Sequence, residues 1–273
     1  MVVGVVAQRG NERAQQLAAD IEAAIADIGE ETRFDETTGE ALGVGGVPVP
    51  SLAECPLVVS IGGDGTFLFT ARSVGSTPIL GVNLGEVGFL NGTQPDDAVD
   101  VIPEIYASLV DGTADLQRLP RIEATHAERT IGPALNEILV HSVQRGPAGR
   151  FEVIVFVDGH EYMRDAVDGV LIATPTGSTA YNLSERGPLV TPDVEGLIVN
   201  AMCGRDPMPP LVVPLDAMIE VRTARGEDGW VISDGRTRSS LSVPGTVQIT
   251  QAPQPVQIAG PPVDFFNALG KLK

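Results

Sequence analysis

The sequence predicts an N-terminal α/β domain with a mostly parallel sheet, followed by a β-rich C-terminal domain. In the first part, apolar strand patterns alternate with amphipathic helix patterns, as in open parallel sheets. In the second part, short β-branched runs follow one another between Gly, Pro and Asp turns, as in antiparallel sheets. A length of 273 residues with 43% hydrophobic residues favours two domains with cores of their own.

The elements of the first domain follow from apolar periodicity. Val2–Ala7 is a continuous apolar run, typical of a strand buried on both faces. Apolar residues from Ala14 to Ile28 recur at helical spacing and predict the next helix. The remaining predicted elements are a loop over 37–50, a strand over 57–61, a helix over 67–74, a strand over 79–82 and a helix opened by Pro95.

The pattern changes near residue 112. We predict that residues 1–112 form the α/β domain, that 113–261 form the β-rich domain, and that a C-terminal helix within 262–273 packs back on the first domain. The predicted strands of the second domain cover 135–141, 151–157, 169–173, 196–201, 211–213, 218–223, 230–233 and 247–250.

Charge is the unusual feature of the composition. Thirty-six acidic residues against 18 basic ones give a net charge of −18, which argues against nucleic acid or an anionic membrane as a partner. Apart from Lys271 and Lys273, all the basic residues are arginines. At molar salt the Debye length falls to about 3 Å, so that acidic self-repulsion is screened. The composition therefore favours a halophilic protein over an ordinary acidic one.

The cysteines and the N-terminus indicate a cytoplasmic protein. Cys55 and Cys203 form neither a disulfide framework nor a CxxC pair, as is usual in a reducing compartment. The apolar N-terminal run lacks the basic residues of a signal peptide, and no apolar stretch reaches membrane-spanning length. The histidines show no metal-ligand spacing, so we predict no fixed protein metal site.

The first element that can carry chemistry is Gly62-Gly63-Asp64-Gly65-Thr66, between a predicted strand and a predicted helix. Backbone N–H groups and the positive end of a helix can hold phosphate there. The sequence is neither a Walker A motif nor GxGxxG. An aspartate in such a loop repels phosphate unless it coordinates Mg²⁺ or accepts a proton, which indicates function. The alternative is an Asx-type turn with glycines at positive φ.

The second element is the polar pair Asn136-Glu137 beside an apolar strand. Burying both side chains without partners would cost several kcal/mol, so we expect them at a strand end or lining a pocket. An amide can bind an adenine edge, and a carboxylate can accept a hydrogen bond from a ribose hydroxyl. The alternative is a strand end that water solvates on one side.

The third element spans residues 168–184, DGVLIATPTGSTAYNLS. An apolar strand breaks at Pro175 into a hydroxyl-rich turn, and a helix is predicted to begin near Thr179. Small side chains and free helix N–H groups suit a nucleotide, and Tyr181 can stack on a base. The alternative is a capped helix with solvated threonines.

In chain order, these three elements resemble the NAD kinase family. The segment 81–90, GVNLGEVGFL, lies between the first two and fits the same resemblance. The GGDGT loop is shared with lipid kinases of the diacylglycerol and sphingosine type, but there an Asn-Glu pair usually follows the loop directly. Here Phe67-Leu68-Phe69 follows it. The resemblance covers nearly the whole chain and implies an NAD kinase-like fold.

The resemblance implies transfer of the γ-phosphate of ATP, or of a phosphate of polyphosphate, to the 2′-hydroxyl of the adenosine ribose of NAD, giving NADP. Asp64 matches the family's general base. Mg²⁺ bound with ATP neutralises the phosphate charge. Because no lysine lies near the loop, Arg72 is a candidate cation. The predicted phosphate and ATP-binding set is Gly62, Gly63, Gly65, Thr66 and Arg72.

The NAD-binding matches are distributed over all three elements. Asp64 and Gly65 face NAD from the loop, Asn136 and Glu137 match residues that contact its adenosine half, and Asp168 matches a carboxylate near its nicotinamide end. The adenine-side wall is matched by Thr179, Ala180, Tyr181 and Ser184, and the intervening Asn182 and Leu183 complete this segment of the predicted site. Family members assemble as homodimers or homotetramers, so we expect a homo-oligomer.

Departures from the family leave some questions open. Ser233-Asp234-Gly235-Arg236 replaces the usual S-x-DGQ, and Arg236 either reaches a pyrophosphate or is a surface charge. The block 203–213 also differs, so nicotinamide recognition and subunit packing stay open. Two other functions are kept as alternatives, namely a lipid or other small-molecule kinase of the same superfamily and a non-catalytic NAD-binding regulator.

Overall fold

The computed structural model describes residues 2–86, 88–144, 146 and 149–271. The chain divides into two compact units, Met1–Leu119 with Gln254–Lys273 and Pro120–Pro253. We call them the α/β unit and the β unit.

Strands and helices alternate along the α/β unit, whereas strands dominate the β unit. The strands are β1 (Val2–Ala7), β2 (Glu31–Phe34), β3 (Leu57–Gly62), β4 (Ile79–Asn83), β5 (Gln117–Leu119), β6 (Ile122–His126), β7 (Arg129–Ala134), β8 (Glu137–Ser142), β9 (Phe151–Val157), β10 (His160–Val167), β11 (Gly169–Ala173), β12 (Gly196–Met202), β13 (Leu211–Pro214), β14 (Ile219–Arg225), β15 (Gly229–Ser233), β16 (Thr237–Leu241), β17 (Gly245–Gln251) and β18 (Val256–Ile258). The α-helices are α1 (Glu12–Asp27), α2 (Glu36–Leu42), α3 (Asp64–Ser73), α4 (Pro95–Val110), α5 (Tyr181–Ser184) and α6 (Phe265–Gly270). Short 3-10 helices cover Val49–Glu54 and Thr176–Thr179.

The sheet of the α/β unit has the order β2-β1-β3-β4-β18-β5. Its pairs are parallel except that β5 runs antiparallel to β18. The central strands β1, β3 and β4 are apolar and buried because α1 and α4 contribute apolar residues to the same core. The predicted α/β domain with a mostly parallel sheet is confirmed.

The β unit contains two six-stranded sheets within the described residues, ordered β10-β9-β14-β17-β6-β7 and β13-β12-β11-β8-β15-β16. Every strand pair in them is antiparallel. Alternate side chains of both sheets share one apolar core, from Val153 and Ile249 of one sheet to Ile138 and Val170 of the other. The predicted β-rich second part is likewise confirmed.

The predicted loop over 37–50 is wrong in part, because it contains most of α2. The side chain of Asp35 caps α2 by accepting a hydrogen bond from Thr37 N, and Gly43 ends the helix at φ +71°. Caps at both ends outweigh the low helix propensity of the Thr- and Gly-rich sequence.

The strands that the sequence pattern missed are mostly edges of the sheets. β2 and β5 close the first sheet, while β7, β10 and β16 are edges in the β unit. Edge strands carry polar side chains on both faces, so they lack the apolar alternation that marks a strand in the sequence.

Candidate functional site

Asp64 lies in the first turn of α3, immediately after the N-cap Gly63. Helix α3 therefore begins at Asp64, three residues before the predicted start. The Asp64 carboxylate accepts hydrogen bonds from the segment that follows β4. Phe89 N donates to Oδ2 at 2.9 Å, while Leu90 N and Asn91 Nδ2 donate to Oδ1 at 3.1 and 3.0 Å. These donors hold the carboxylate in one orientation at the carboxyl end of β3.

The donors leave the two oxygens of Asp64 unequal. A carboxylate has about four lone-pair positions, and among the described residues Oδ1 accepts two hydrogen bonds and Oδ2 only one. Burial raises the pKa of Asp64 above its ordinary value, and the hydrogen bonds from Phe89, Leu90 and Asn91 oppose that rise. Oδ2 is thus the oxygen that retains capacity to accept a proton.

The glycine loop packs too closely for a larger residue at its first position. Gly62 is the buried last residue of β3, and a Cβ built on it would lie 2.5 Å from Thr66 Oγ1 and 3.1 Å from Gln8 Cβ. No side chain in the described part of the chain caps the N-terminus of α3. The predicted loop residues Gly62, Gly63, Gly65 and Thr66 are therefore together at a helix start whose N–H groups can bind an anion.

Arg72 is not brought to this loop. It lies in the last turn of α3, eight residues after Asp64 and therefore about 12 Å along the helix axis. We therefore do not place Arg72 at the GGDGT loop. The sequence pattern placed it near the loop because it did not include the direction of the helix.

Asn136 and Glu137 lie at a strand end, as one of the two sequence-based expectations stated. Asn136 is half-buried directly before β8, and Glu137 is the first residue of β8. Glu137 pairs with Ala173 at the end of β11, where the chain enters the TPTGS turn. The second and third predicted elements are therefore neighbours within the β unit.

Glu137 is buried and carries an unsatisfied oxygen. Its side chain accepts a hydrogen bond from Tyr181 N, but Oε2 has no partner among the described residues. The pKa of Glu137 is raised to about 7, mainly by burial and also by the charge of Asp234, while the hydrogen bond from Tyr181 opposes the rise. A buried polar atom without a partner is uncommon and is explained well by a bound ligand.

The TPTGS turn packs directly on residue 136. Thr174 N donates to Asn136 O at 2.9 Å, and the Thr174 hydroxyl donates to Leu135 O at 2.6 Å. A Cβ on Gly177 would overlap the Asn136 carbonyl oxygen and lie 2.6 Å from its carbonyl carbon. The Thr176 hydroxyl oxygen is buried without a partner in the described residues, like Glu137 Oε2.

The helix predicted near Thr179 is two shorter turns, Thr176–Thr179 and α5, separated by Ala180. Several of their N–H groups are already used, since Gly177 N donates to the Thr174 hydroxyl and Ala180 N to Gly177 O. The expectation of a free helix N-terminus here is therefore wrong. Pro175 and the hydroxyl side chains close the turn on itself instead.

The residues predicted for the adenine-side wall differ in their exposure. Thr179, Ala180, Tyr181 and Leu183 are half-buried and Ser184 is exposed, while Asn182 is fully buried. Asn182 Nδ2 donates to Pro188 O at 3.0 Å, and its Oδ1 accepts from Asn200 Nδ2 at 3.3 Å. Asn182 thus supports the segment from inside, and its contact with NAD stays a prediction.

Asp168 lies far from Glu137 within the same pair of strands. It precedes β11, whereas Glu137 pairs with the last residue of β11, which puts them about 17 Å apart along the strand. Arg150 Nε lies 3.4 Å from Asp168 Oδ1, and Gly146 N donates to Oδ2 at 3.1 Å. The two carboxylates therefore cannot contact the same part of a small ligand.

Arg236 is exposed in the turn between β15 and β16, two residues after Asp234. Arg236 stood out in the sequence as a departure from the family, whereas Asp234 was given no role. Three residues of the two candidate sites were missed by sequence reasoning. Asn91 donates a hydrogen bond to Asp64, Asp234 accepts hydrogen bonds from the backbone of residues 135–137, and Arg121 interacts with Asp234. The only local signal for Asp234 was an Asp-Gly turn after an apolar strand.

The described residues contain neither a cluster of metal ligands nor a membrane-spanning helix. No three His, Cys, Asp or Glu side chains there are close enough to form a metal site. No described helix is both long and apolar enough to cross a membrane.

Both parts of the chain match domains of one protein family. Residues 50–110 match the ATP-NAD kinase N-terminal domain, and residues 131–260 match the ATP-NAD kinase C-terminal domain. The first match contains the GGDGT loop, and the second contains Glu137, the TPTGS turn and Asp234.

The chain is also similar to individual proteins over its full length. It is 48% identical to an NAD kinase of Haloarcula marismortui and 48% identical to one of Halobacterium salinarum, in each case over 100% of both chains. Among solved structures, an NAD kinase from Archaeoglobus fulgidus in complex with ATP matches with a TM-score of 0.78 and 28% identity, covering 100% of this chain and 98% of that one.

Proposed function

Since this chain belongs to the NAD kinase family, we propose that it transfers the γ-phosphate of ATP to the 2′-hydroxyl of the adenosine ribose of NAD, giving NADP. The observation that carries the proposal is the Asp64 carboxylate, held by three donors at the start of α3 with Oδ2 left able to accept a proton. A buried carboxylate with a raised pKa is suited to act as a general base.

In the proposed step, the 2′-oxygen of NAD attacks the γ-phosphorus as its proton passes to Asp64 Oδ2. The bond from the γ-phosphorus to the β–γ bridging oxygen breaks, and ADP leaves with the electron pair. Gly62, Gly63, Gly65 and Thr66 hold phosphate oxygens at the N-terminus of α3. Positioning and charge stabilisation supply most of the catalysis in such a loose transition state.

The β unit is proposed to recognise NAD. Glu137 Oε2 and the Thr176 hydroxyl are buried without partners in the described residues, and both sit where the TPTGS turn meets Asn136. An ionised Glu137 can accept a hydrogen bond from a ribose hydroxyl, and Asn136 can bind the adenine edge. Tyr181 lies beside them, since its N–H donates to Glu137. Asp168, about 17 Å away along the strand, is assigned to the nicotinamide end.

Mg²⁺ is proposed to arrive as part of the substrate Mg²⁺-ATP. Mg²⁺ in such sites is commonly bound by one or two carboxylates together with substrate phosphates and water. Asp64 fits that pattern only in part, because three of its lone-pair positions already accept hydrogen bonds. When bound, the ion neutralises charge on the transferring phosphoryl group.

The proposal is tested by assaying the purified chain for NADP with Mg²⁺-ATP and NAD in molar KCl. Parallel reactions replace ATP with polyphosphate, NAD with NADH, and NAD with diacylglycerol or sphingosine. NADP formed from ATP and NAD supports the proposal. A folded protein that phosphorylates only a lipid, or that binds NAD in calorimetry without turnover, would select one of the alternatives instead.

We further propose that the protein is adapted to high salt, and we expect the KM values for ATP and NAD to fall as KCl rises toward 1 M. Both substrates are anions that must approach a chain of net charge −18, and salt screens that repulsion. The relatives from Haloarcula and Halobacterium support the same proposal. An uncharged osmolyte at equal osmolality is the control. Activity that is highest in dilute buffer and declines steadily with KCl would contradict it.

The cellular setting is proposed from the same observations. Cys55 and Cys203 are free thiols, consistent with a reducing cytoplasm. A homodimer or homotetramer is proposed by analogy with the family. Exposed Met208 and Val212, at and beside the edge strand β13, offer apolar surface for such contacts.

A further inference from the structure

The backbone N–H groups of residues 135–137 all point to one carboxylate. Leu135 N donates to Asp234 Oδ2 at 3.0 Å, and Asn136 N and Glu137 N donate to Asp234 Oδ1 at 2.8 and 3.2 Å. Hydrogen bonds to an ionised acceptor are about twice as strong as neutral ones. Asp234 therefore ties down the segment that carries Asn136 and Glu137.

The carbonyl groups of the same three residues are bonded as well. Thr174 donates to Leu135 O from its hydroxyl at 2.6 Å and to Asn136 O from its backbone N–H at 2.9 Å. Asp234 N donates to Glu137 O at 3.0 Å. Every backbone polar group of the segment thus has a partner within the β unit, so the side chains of Asn136 and Glu137 are the groups left to meet a ligand.

Asp234 is itself held in an uncommon conformation. It has φ +45° and is followed by Gly235 at φ +64° in the turn that joins β15 to β16. Positive φ is uncommon outside glycine, but aspartate is one of the residues that adopts it most readily, so the turn fixes the backbone from which the Asp234 carboxylate extends. Arg121 lies near Asp234 in the interior, since burial lowers the pKa of Arg121 while the charge of Asp234 opposes that shift.

We propose that Asp234 is a positioning residue of the NAD site, whose carboxylate fixes where Asn136 and Glu137 present their side chains to NAD. The proposal rests on the function proposed above and adds a residue with no direct contact to the reacting atoms.

Asp234 also acts on Glu137 through its charge. Two groups on other elements bear on the Glu137 carboxylate, and a third bears on Asp234. Asp234 of the β15–β16 turn repels Glu137, and Tyr181 at the start of α5 donates a backbone hydrogen bond to it. Arg121 interacts with the charge of Asp234. Removal of the Asp234 charge is therefore expected to lower the pKa of Glu137.

The test compares Asp234→Ala with wild type by steady-state kinetics in molar KCl. We expect the KM for NAD to rise about 10- to 100-fold, because displacement of a binding group by about 1 Å costs that much. The KM for ATP should stay within twofold. A merely structural loss would lower the active fraction and leave both KM values unchanged.

Asp158→Ala is the matched control. Asp158 also lies in a hairpin turn of the β unit at φ +49°, its carboxylate accepts a hydrogen bond from Met218 N at 2.9 Å, and its N–H donates to Met218 O at 3.0 Å. Like Asp234, Asp158 therefore accepts a backbone hydrogen bond through its carboxylate and donates one from its N–H, but it does so away from Glu137. We expect Asp158→Ala to lower the melting temperature and leave the KM for NAD unchanged.

Asp234→Asn supplies a second measurement in case the alanine variant does not fold. Ionised Glu137 accepts a ribose hydroxyl, so kcat/KM for NAD should fall in wild type as pH falls through about 7. In Asp234→Asn this fall in kcat/KM should occur at lower pH. If it occurs at the same pH as in wild type, the electrostatic part of the proposal is overturned.

Amide hydrogen exchange separates failure of this inference from failure of the proposed function. Residues 135–137 should exchange slowly in wild type and at least tenfold faster in Asp234→Ala. An inactive wild type would overturn the proposed function. Even then, amide exchange would show whether Asp234 holds residues 135–137 in place. Unchanged exchange, or an unchanged KM for NAD in an active enzyme, would overturn the inference.

Discussion

Replacement of Asp64 with asparagine is expected to lower kcat by about 10²- to 10⁴-fold, the usual contribution of a general base. The amide has nearly the same shape, and its oxygen can still accept hydrogen bonds from Leu90 N and Asn91 Nδ2. It cannot take the proton of the 2′-hydroxyl. Its Nδ2 also faces Phe89 N, which donates to Oδ2 in the wild type.

Calorimetry and steady-state kinetics check this prediction together. NAD and Mg²⁺-ATP should still bind to Asp64→Asn with affinities within about tenfold of wild type, because the loss of a proton acceptor acts on the transition state rather than on substrate binding. The matched control is Asp96→Asn, which removes the same charge from the first turn of α4 at an exposed position. It should turn over normally. A kcat for Asp64→Asn within a few-fold of wild type would show that Asp64 is not the base.

Gly177→Ala is expected to lower kcat/KM for NAD about 100-fold, the second large effect. The added methyl would overlap the Asn136 carbonyl oxygen and lie 2.6 Å from its carbonyl carbon and 2.9 Å from its Cα. These are backbone atoms, bonded to Thr174 on one side and to Asp234 on the other. No flexible side chain can give way, so either the TPTGS turn or residue 136 must move.

Differential scanning calorimetry and NAD kinetics in molar KCl measure the result. Overpacking of this kind typically costs about 1–3 kcal/mol, so the melting temperature should fall by several degrees as well. The matched control is Gly45→Ala, at a glycine with nothing within 4 Å of the added Cβ and with no positive φ. If Gly177→Ala leaves both the melting temperature and the NAD kinetics unchanged, the position of residue 136 does not depend on the TPTGS turn.

The central residues of both candidate sites could be predicted from the sequence. Asp64 stood out because a charged residue among glycines after a buried strand conflicts with phosphate binding unless it has a chemical role. Asn136 and Glu137 stood out because polar residues interrupt an apolar strand. Both arguments use only near neighbours along the chain, which is where sequence periodicity is informative.

The cation expected at the GGDGT loop shows where such reasoning stops. Arg72 is close to the loop in sequence, yet α3 carries it about 12 Å away along the helix axis. The free helix N-terminus expected near Thr179 failed for a related reason, because the hydroxyl of Thr174 already accepts the Gly177 N–H. Local composition indicated the right residue types but not which groups were already bonded.

The sequence by itself determined the fold class and the family, and it singled out the GGDGT loop and the polar pair, because strand and helix periods and local motifs are properties of neighbouring residues. Only the tertiary structure decided that Asp234 anchors residues 135–137, to which it is bonded across 97 to 99 positions of the chain. It also decided that, among the described residues, Glu137 Oε2 is buried without a partner and Asp64 Oδ2 keeps a free lone pair. Contacts of that range arise when sheets pair and pack, and no spacing along one strand encodes them.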